Sequence, residues 1–299
     1  MIDDNMGVTN AWKQVTVVVP TFDRPELLAR ALKSIAMQTY GNIEVVVCDN
    51  GTDTRAHTVL EETGFPPRTT RYIKHLSNVG PINNFMHGLQ TAHGEYFMWL
   101  ADDDEISDCE YITSLVAILE ADSKASTAVA NWRLMGSPSE IIPCKMREYA
   151  NESSFVRVAR FVWWSSDDFF YGLHRTDHLR NARYLPYWSI NNGSILNWAY
   201  PFLLDMVIQG KVVGVRRPDT VWINHNYTLK SHAIKPDRLS LGIILSYILR
   251  RLNVHYLYGV KIFNQCGLGM LTAMIPISIA SLILEFCDIL LQKLCFRKN

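Results

Sequence analysis

The sequence lacks the glycine-rich loops that many proteins use to bind phosphate. Its 299 residues contain no GxxxxGKS or GxxxxGKT segment, and no GxGxxG segment follows the first predicted strand. In both kinds of loop, glycine lets backbone N–H groups come close to a phosphate group. Their absence argues against P-loop chemistry and against dinucleotide binding of the Rossmann type. A phosphate ligand would here need a cation and side chains to balance its charge.

Net charge and cysteine pairs are also missing. The 29 Lys and Arg residues balance the 29 Asp and Glu residues, which argues against a nucleic-acid partner, since phosphate backbones attract an excess of basic side chains. The six cysteines form no CxxC pair and several stand in apolar runs, so we expect reduced, buried thiols in a reducing compartment. The first fourteen residues are polar and acidic, and they predict no signal peptide.

The sequence does contain a regular alternation of apolar runs and helical patterns. The β-branched runs predict buried strands, and apolar residues at helical spacing predict the helices between them. The predicted strands are 15–20, 43–48, 71–73 and 95–101, and the predicted helices are 27–36, 54–63 and 82–92. This alternation predicts right-handed crossovers and a doubly wound α/β sheet flanked by helices. Before the first helix, Asp23 is a predicted cap, and Glu26 completes a capping box.

The run 95–101 ends in three consecutive carboxylates, Asp102, Asp103 and Asp104, which we call the acidic triplet. Adjacent anions repel one another unless water or a cation neutralises them. Carboxylate oxygens at the end of a strand suit Mg²⁺ or Mn²⁺, and such an ion can bridge to a phosphate. The alternative interpretation is a solvated acidic turn.

Polar residues follow the other strands at equivalent points. Thr21 and Asp23 follow the first strand, and Asp49 and Asn50 follow the second. Because parallel strands of a doubly wound sheet end at one edge, where ligands bind, we expect these residues to meet the acidic triplet there. Each one alone could be a cap or turn residue. Their joint placement favours a binding site.

Five segments occur in a fixed order and spacing: 17–25, 38–40, 43–53, 78–80 and 100–104. Together they resemble the N-terminal half of the family 2 glycosyltransferases of GT-A fold. The resemblance covers about residues 14–120. It implies a GT-A-like mixed sheet and the transfer of a sugar from a nucleotide diphosphate donor, with inversion at the anomeric carbon. It also implies a divalent cation, Mn²⁺ or Mg²⁺, as cofactor.

The resemblance assigns roles to individual residues. Thr21 and Asp23 would border the nucleotide, and Asp49 would accept a hydrogen bond from the base. The implied nucleotide-sugar contacts are Pro20, Thr21, Asp23, Asp49, Asn50, Asn78, Asp102 and Asp103.

The implied metal ligands come from the acidic triplet and one histidine. Asp102 and Asp104 correspond to the DxD pair of the family, with the first near the ribose or sugar and the last on the metal. Asp103 could take either part, because the triplet allows a shift of one residue. His225 could reach the metal or the diphosphate, although a histidine in such a strand is more often only hydrogen-bonded.

An inverting transfer also needs a base to accept the proton of the acceptor hydroxyl. In the family this carboxylate opens a helix in the second half of the domain, and the segment 198–210 resembles that helix. Its expected position falls near Ala199 or Tyr200, and neither is acidic. Asp205 is the nearest carboxylate and is the predicted base, while an ordinary solvent-facing Asp is the alternative. Asp167 and Asp168 are the other candidates. Further strands are predicted at 128–132 and 169–175.

The C-terminal quarter is basic and apolar. From residue 222 onward there are nine Lys or Arg residues and three Asp or Glu residues. The runs 239–249 and 267–284 are apolar and helical, and the second reaches the lower limit of length for a membrane span. A helix in the membrane interface, a single span or hairpin, and a buried helix remain as alternatives. The basic flanks favour association with a membrane surface.

We therefore predict a catalytic domain over 14–228, with a nucleotide-sugar half (14–120) and an acceptor half (121–228), and a C-terminal membrane-associated region over 229–299. The predicted function is sugar transfer to a glycan or lipid-linked acceptor in cell-surface polysaccharide synthesis, at the cytoplasmic face of a membrane. One alternative is a catalytically silent relative that binds a nucleotide sugar or glycan as an assembly partner. A nucleotidyltransferase is a third class, although it normally opens with a glycine-rich, basic loop.

Overall fold

The structure, a computed structural model, describes residues 12–52, 54–135, 141–144, 147–182, 199–215, 222–225 and 241–295. The strands are β1 (Val15–Thr21), β2 (Ile43–Asp49), β3 (Thr70–Lys74), β4 (Tyr96–Trp99), β5 (Asp104–Ile106), β6 (Ala125–Val129), β7 (Asn131–Met135), β8 (Ile141–Cys144), β9 (Leu173–Arg175), β10 (Lys211–Gly214) and β11 (Trp222–His225). The helices are α1 (Pro25–Ala36), α2 (Arg55–Glu62), α3 (Pro81–Thr91), α4 (Tyr111–Ala121), α5 (Ser154–Trp163), α6 (Thr176–Asn181), α7 (Ala199–Gln209) and α8 (Leu241–Cys295). Two short 3-10 helices cover Pro67–Thr69 and Asp168–Tyr171.

Seven strands form the central sheet, in the order β10-β6-β9-β4-β1-β2-β3. The four strands β1 to β4 run parallel, with β1 between β2 and β4. β9 runs antiparallel to both β4 and β6, so the sheet is mixed. β1 and β2 are buried along their whole length, as expected for apolar parallel strands covered on both faces. The predicted fold class, a mixed α/β sheet flanked by helices, is confirmed.

Two hydrophobic clusters lie on opposite faces of this sheet. On one face Val17 of β1 belongs to a cluster with Leu28 of α1. On the other face Val18 belongs to a cluster with Phe202 of α7 and Tyr258 of α8. Successive side chains of a strand point to opposite faces, which is why β1 serves both clusters. Full burial of one large apolar side chain contributes about 1.5–3 kcal/mol to the stability of the fold. The two clusters therefore stabilise the sheet and fix the positions of its strand ends.

A second, four-stranded sheet has the order β5-β11-β7-β8. β11 pairs antiparallel with β5, and the register sets His225 opposite Asp104. Asp104 is both the last residue of the acidic triplet and the first residue of β5. The second sheet therefore connects the end of the triplet to the strand that carries His225.

The start of α1 differs from the prediction. Arg24 stands at the N-cap position, and no side chain caps the helix. Asp23 has a left-handed backbone conformation, with φ of 52°, and its carboxylate accepts hydrogen bonds from Thr52. Glu26 pairs with Arg55 at 2.7 Å. The predicted capping box is therefore wrong, because both carboxylates bind partners in the segment that follows β2.

α8 is a helical hairpin. Gly267 interrupts it with φ of 81° and ψ of 179°, a conformation that favours glycine, and separates the arms 241–266 and 268–295. The arms lie against each other, since Arg251 Nε donates to Glu285 Oε2 at 2.6 Å. Nearer the bend, a Cβ placed on Gly259 would lie 3.6 Å from Leu271 Cδ1. The described residues form a helical hairpin, and its predicted association with a membrane stays a prediction.

The hairpin packs on α5 and α7. Tyr258 OH and Ser165 Oγ are 2.6 Å apart, and Ser281 Oγ donates to the Trp163 carbonyl at 2.9 Å. Both arms thus contact the end of α5. Within the described residues, the stretch Ile248–Cys287 is long and apolar enough to cross a membrane, judged by length and composition alone.

Candidate active site

The acidic triplet lies at the carboxyl end of the central sheet, against the end of β1. Asp102 is 1% exposed, and Thr21 Oγ1 donates to its Oδ2 at 2.7 Å. Arg24 Nη2 lies 2.7 Å from Asp102 Oδ1, and Arg24 Nη1 donates to Asp103 Oδ2 at 3.2 Å. One guanidinium therefore contacts the first two carboxylates of the triplet, offsets part of their charge and holds them to the loop after β1.

Burial raises the pKa of Asp102 to about 6, although the charge of Arg24 and the hydrogen bond from Thr21 oppose that rise. The neighbouring Asp103 carboxylate adds to the increase. A cation that approached this carboxyl group would lower its pKa and so favour the ionised form. Asp102 is thus a group whose charge responds to a ligand at this edge.

Asp23 is positioned by the loop after β2. Its Oδ1 accepts a hydrogen bond from Thr52 N at 2.6 Å, and its Oδ2 lies 3.2 Å from Thr52 Oγ1. A Cβ on Gly51 would lie 2.3 Å from Asp23 Oδ1 and 2.6 Å from Asp23 N. Only glycine permits this approach, so Gly51 lets the loops after β1 and β2 close on each other.

Asp49, at the end of β2, is 1% exposed and binds three protein groups. Its Oδ2 accepts hydrogen bonds from Tyr72 OH at 2.5 Å and Lys74 Nζ at 2.6 Å. Its Oδ1 accepts one from Gly51 N at 2.8 Å. These three donors hold the carboxylate at the end of β2. The prediction that Asp49 binds the base stays a prediction.

Asn50 and Asn78 join the end of β2 to the start of α3. Asn50 Nδ2 donates to Asn78 Oδ1 at 2.8 Å, and Val79 N donates to Asn50 Oδ1 at 2.8 Å. Gly80 N also donates to Asn78 Oδ1 at 2.8 Å. Thr21, Asp23, Asp49, Asn50, Asn78 and the triplet are therefore gathered at one edge of the sheet, and Pro20 belongs to β1 directly before them.

A cavity of about 230 Å³ lies beside this edge. Its lining comes from the start of α3, the 3-10 turn after α5 and the first residue of α7, namely Pro81, Ile82, Phe85, Asp167, Phe170, Tyr171 and Ala199. The walls of the cavity partly desolvate Asp167, whose side chain keeps an exposed surface, and together with the nearby Asp168 carboxylate they raise its pKa. Burial raises the pKa of Tyr171, and the charges of Asp104, Asp103, Asp167 and Asp102 raise it further. Tyr171 is thus within electrostatic reach of both the acidic triplet and Asp167.

Asp205 does not join this group. It is 0% exposed, Lys261 Nζ lies 2.5 Å from its Oδ2, and Gln265 Nε2 donates to its Oδ1 at 2.6 Å. Both partners belong to α8, on the side of α7 that packs on the hairpin. This geometry disfavours Asp205 as the base, because the carboxylate is enclosed and bound to a cation. It also contradicts the solvent-facing alternative.

The carboxylates at this edge would bind a divalent cation together with a phosphate ligand and water, without enclosing it. Among the described residues, no three His, Cys, Asp or Glu side chains converge closely enough to enclose a metal ion. Mg²⁺ and similar ions are commonly held by one or two carboxylates together with substrate phosphates and water. Asp104 is 5% exposed, the register sets His225 opposite it, and both oxygens of Asp102 already contact Thr21 or Arg24. The assignment of Asp102, Asp104 and His225 as metal ligands stays a prediction.

Arg24 and Tyr171 are site residues that the sequence reasoning did not single out. Arg24 stands between Asp23 and Pro25 in a segment that carries the family resemblance. Its position in that segment could have identified it as a neighbour of the acidic triplet. Tyr171 stands in a segment predicted as a strand, and no pattern in the sequence connects it to the acidic triplet.

The sequence pattern of glycosyl transferase family 2 matches residues 16–181, which is more than half of the chain. This chain belongs to glycosyl transferase family 2. It is 33% identical over 94 residues to a Campylobacter jejuni protein named GalNAc(5)-diNAcBac-PP-undecaprenol beta-1,3-glucosyltransferase. That match covers 31% of this chain and 30% of the relative, so it spans less than a third of either protein.

Solved structures of glycosyltransferases share the fold of this family 2 member. TarS 1–349 of S. aureus in complex with UDP-GlcNAc has a TM-score of 0.58 and 17% identity, over 84% of this chain and 67% of that one. The mannosyltransferase PcManGT of Pyrobaculum calidifontis, in complex with GDP-Man and Mn²⁺, has a TM-score of 0.52 and 14% identity, over 96% of this chain and 81% of that one. At these identities the likeness establishes the GT-A-like fold.

Proposed function

We propose that this family 2 glycosyltransferase moves a sugar, with inversion, from a nucleotide diphosphate donor to a hydroxyl of a glycan or lipid-linked acceptor in cell-surface polysaccharide synthesis. The observation that carries the proposal is the gathering of Asp49, Asn50, Asn78 and the acidic triplet at the carboxyl edge of one sheet. The nucleotide sugars UDP-GlcNAc and GDP-Man in the structures of TarS and PcManGT support this class of donor.

The proposed cofactor is Mn²⁺ or Mg²⁺, with Asp104 and Asp102 as ligands and His225 as a further candidate. The cation supplies positive charge to the diphosphate as the bond to the sugar breaks. Thr21 and Arg24 keep the Asp102 carboxylate in place. The Mn²⁺ in the PcManGT structure agrees with the choice of ion.

For the base we propose Asp167. It lines the cavity that also contains Ala199, the position at which the family resemblance places the catalytic carboxylate. In the proposed reaction the acceptor oxygen attacks the anomeric carbon, its proton passes to Asp167, and the nucleoside diphosphate leaves on the opposite face of the sugar. A raised pKa suits this role, because a carboxylate with a pKa nearer to neutrality is a stronger proton acceptor.

The proposed acceptor is linked to a lipid, at the cytoplasmic face of a membrane. The name of the Campylobacter jejuni relative includes a PP-undecaprenol acceptor. The hairpin α8 supports the same proposal, since its outer side carries exposed apolar residues, among them Ile279 at 53% and Ile283 at 56%. Exposed apolar helices with basic flanks bind membrane surfaces.

Titration of the full chain with UDP-GlcNAc and GDP-Man, with and without Mn²⁺, tests the proposal. We expect a nucleotide sugar to raise the unfolding temperature in the presence of Mn²⁺, and slow release of nucleoside diphosphate to follow. A raised unfolding temperature without release of nucleoside diphosphate would favour the alternative of a catalytically silent relative. The lack of a carboxylate at Ala199 is the reason for considering that alternative. No response to any nucleotide sugar would contradict the proposal.

A further inference from the structure

A second, larger cleft lies away from the candidate active site, between the segment that precedes α5, the end of α5 and the second arm of α8. Its volume is about 820 Å³, within the range of small-molecule sites. Its described lining includes Arg147, Tyr149, Arg160, Trp163, Trp164 and Ile277. None of these residues belongs to the carboxyl edge of the central sheet, where the donor is proposed to bind, or to the smaller cavity that Asp167 lines. The cleft therefore has no role in the proposed reaction.

Two guanidinium groups give this cleft a positive character. Arg147 lies with its guanidinium carbon 4.7 Å from the centre of the Trp164 ring, and its Nη1 donates to the Trp164 carbonyl at 3.5 Å. Arg160 is exposed on the last turn of α5. Glu148 is the one carboxylate in the described lining, and a Cβ on Gly214 would lie 2.2 Å from its Oε1. The described lining thus has two cationic side chains, Arg147 and Arg160, and one carboxylate, Glu148. The Glu148 carboxylate lies against β10.

The rim of the cleft is apolar and exposed. Trp163 is 41% exposed and Trp164 is 63% exposed, and tryptophan is enriched where an apolar medium meets water. Ile277 belongs to the second arm of α8, beside Ile275 at 48% and Ile279 at 53% exposure. The hydrogen bond from Ser281 to Trp163 keeps this arm at the end of α5. Cationic and apolar groups therefore face solvent side by side.

We propose that this cleft binds the headgroup phosphate of an anionic phospholipid and so positions α5 and the second arm of α8 at the membrane surface. Guanidinium groups bind phosphate through charge-assisted, paired hydrogen bonds. The two tryptophans and the isoleucines of α8 contact the region where headgroups meet acyl chains. The inference rests on the membrane association in the proposed function, and it is independent of the donor site.

Vesicle flotation of the full chain tests this site. The probes are vesicles of phosphatidylcholine alone and vesicles containing phosphatidylglycerol. We expect the wild type to bind the anionic vesicles about tenfold more tightly, since each basic residue near an anionic surface contributes to binding. The double variant Arg147→Gln/Arg160→Gln should lose this preference. The matched control Lys33→Gln/Arg68→Gln removes two exposed cations elsewhere and should keep most of it.

An unchanged preference in Arg147→Gln/Arg160→Gln, or an equal loss in the control, would overturn the proposal. In a second measurement, vesicles with brominated acyl chains should quench tryptophan fluorescence, and Trp163→Phe/Trp164→Phe should lose most of that quenching. Full quenching in this variant would count against the site. Donor-dependent stabilisation by UDP-GlcNAc or GDP-Man is measured on every variant, because a variant that keeps it is folded. Failure of the lipid site is then distinguishable from failure of the donor site.

Discussion

Lys261 of the hairpin lies 2.5 Å from Asp205 of α7, and the two side chains are 3% and 0% exposed. Gln265, one turn further along α8, binds the other oxygen of the same carboxylate. The pair is therefore a buried electrostatic contact that joins the hairpin to α7. Such pairs offset the cost of removing two charges from water only while both partners are present.

We expect Lys261→Met to lower the free energy of unfolding by about 3–5 kcal/mol, because it leaves the Asp205 carboxylate buried without its cation. The double variant Asp205→Leu/Lys261→Met should recover much of that loss. Denaturant unfolding of the full chain measures both, and the exposed Lys33→Met serves as control.

In addition, Asp205→Asn should leave the turnover of folded protein near the wild-type value. A large loss of turnover at normal stability would restore Asp205 as the base.

This pair illustrates what sequence patterns do not reveal. The family resemblance predicted α7 within one residue of its observed bounds, Ala199–Gln209. It gave no information about a partner in a helix much later in the chain. Without that partner, Asp205 was simply the nearest carboxylate to the expected base position.

The fold was more predictable than the site. The β-branched runs predicted β1 and β2 to within one residue, because continuous apolar runs are typical of buried parallel strands. In contrast, the predicted strand 169–175 is a 3-10 turn, Asp168–Tyr171, followed by β9. The turn carries two of the aromatic residues that line the cavity beside Asp167, Phe170 and Tyr171, and aromatic runs suit a strand or a packed turn equally well.

At the donor edge we expect Asp104→Ala to weaken Mn²⁺-dependent binding of a nucleotide sugar about 100-fold, since a carboxylate ligand to the cation contributes several kcal/mol. Calorimetric titration with UDP-GlcNAc or GDP-Man, with and without Mn²⁺, measures this effect. Glu62→Ala removes an exposed carboxylate on α2 and should have no effect. Retention of Mn²⁺-dependent binding in Asp104→Ala would remove the metal assignment.

In the cavity that Asp167 lines, we expect Asp167→Asn to lower kcat by about 100- to 10,000-fold, which is the range for loss of a general base. The affinity for the donor should change little. Single-turnover transfer and donor titration separate the two quantities. Asp168→Asn is the matched control and should stay active. Equal losses in both variants, or normal turnover in Asp167→Asn, would contradict the assignment.

The pH profile gives an independent test of Asp167. Partial desolvation in the cavity and the Asp168 charge raise its pKa above the ordinary value of 3.8, although the Asp167 side chain keeps an exposed surface. The base must be deprotonated, so kcat/KM should fall as the pH drops through that raised pKa. Asp168→Asn removes the like charge and should move this acid limb to lower pH. A limb that does not move would show that another group controls it.

The last prediction concerns stability in acid and His174, which is 0% exposed in the centre of the sheet. Its ring nitrogens bind Thr127 Oγ1 at 3.0 Å and the Phe170 carbonyl at 3.1 Å, and burial lowers its pKa from 6.5 to about 4. Between these values the unfolded chain binds the proton first, so the free energy of unfolding should fall by about 3 kcal/mol as the pH drops from 7 to 4. His174→Gln should flatten that part of the pH dependence, measured by urea unfolding, whereas His57→Gln, on an exposed face of α2, should leave the slope unchanged. The same slope in His174→Gln as in the wild type would mean that other groups account for the acid sensitivity.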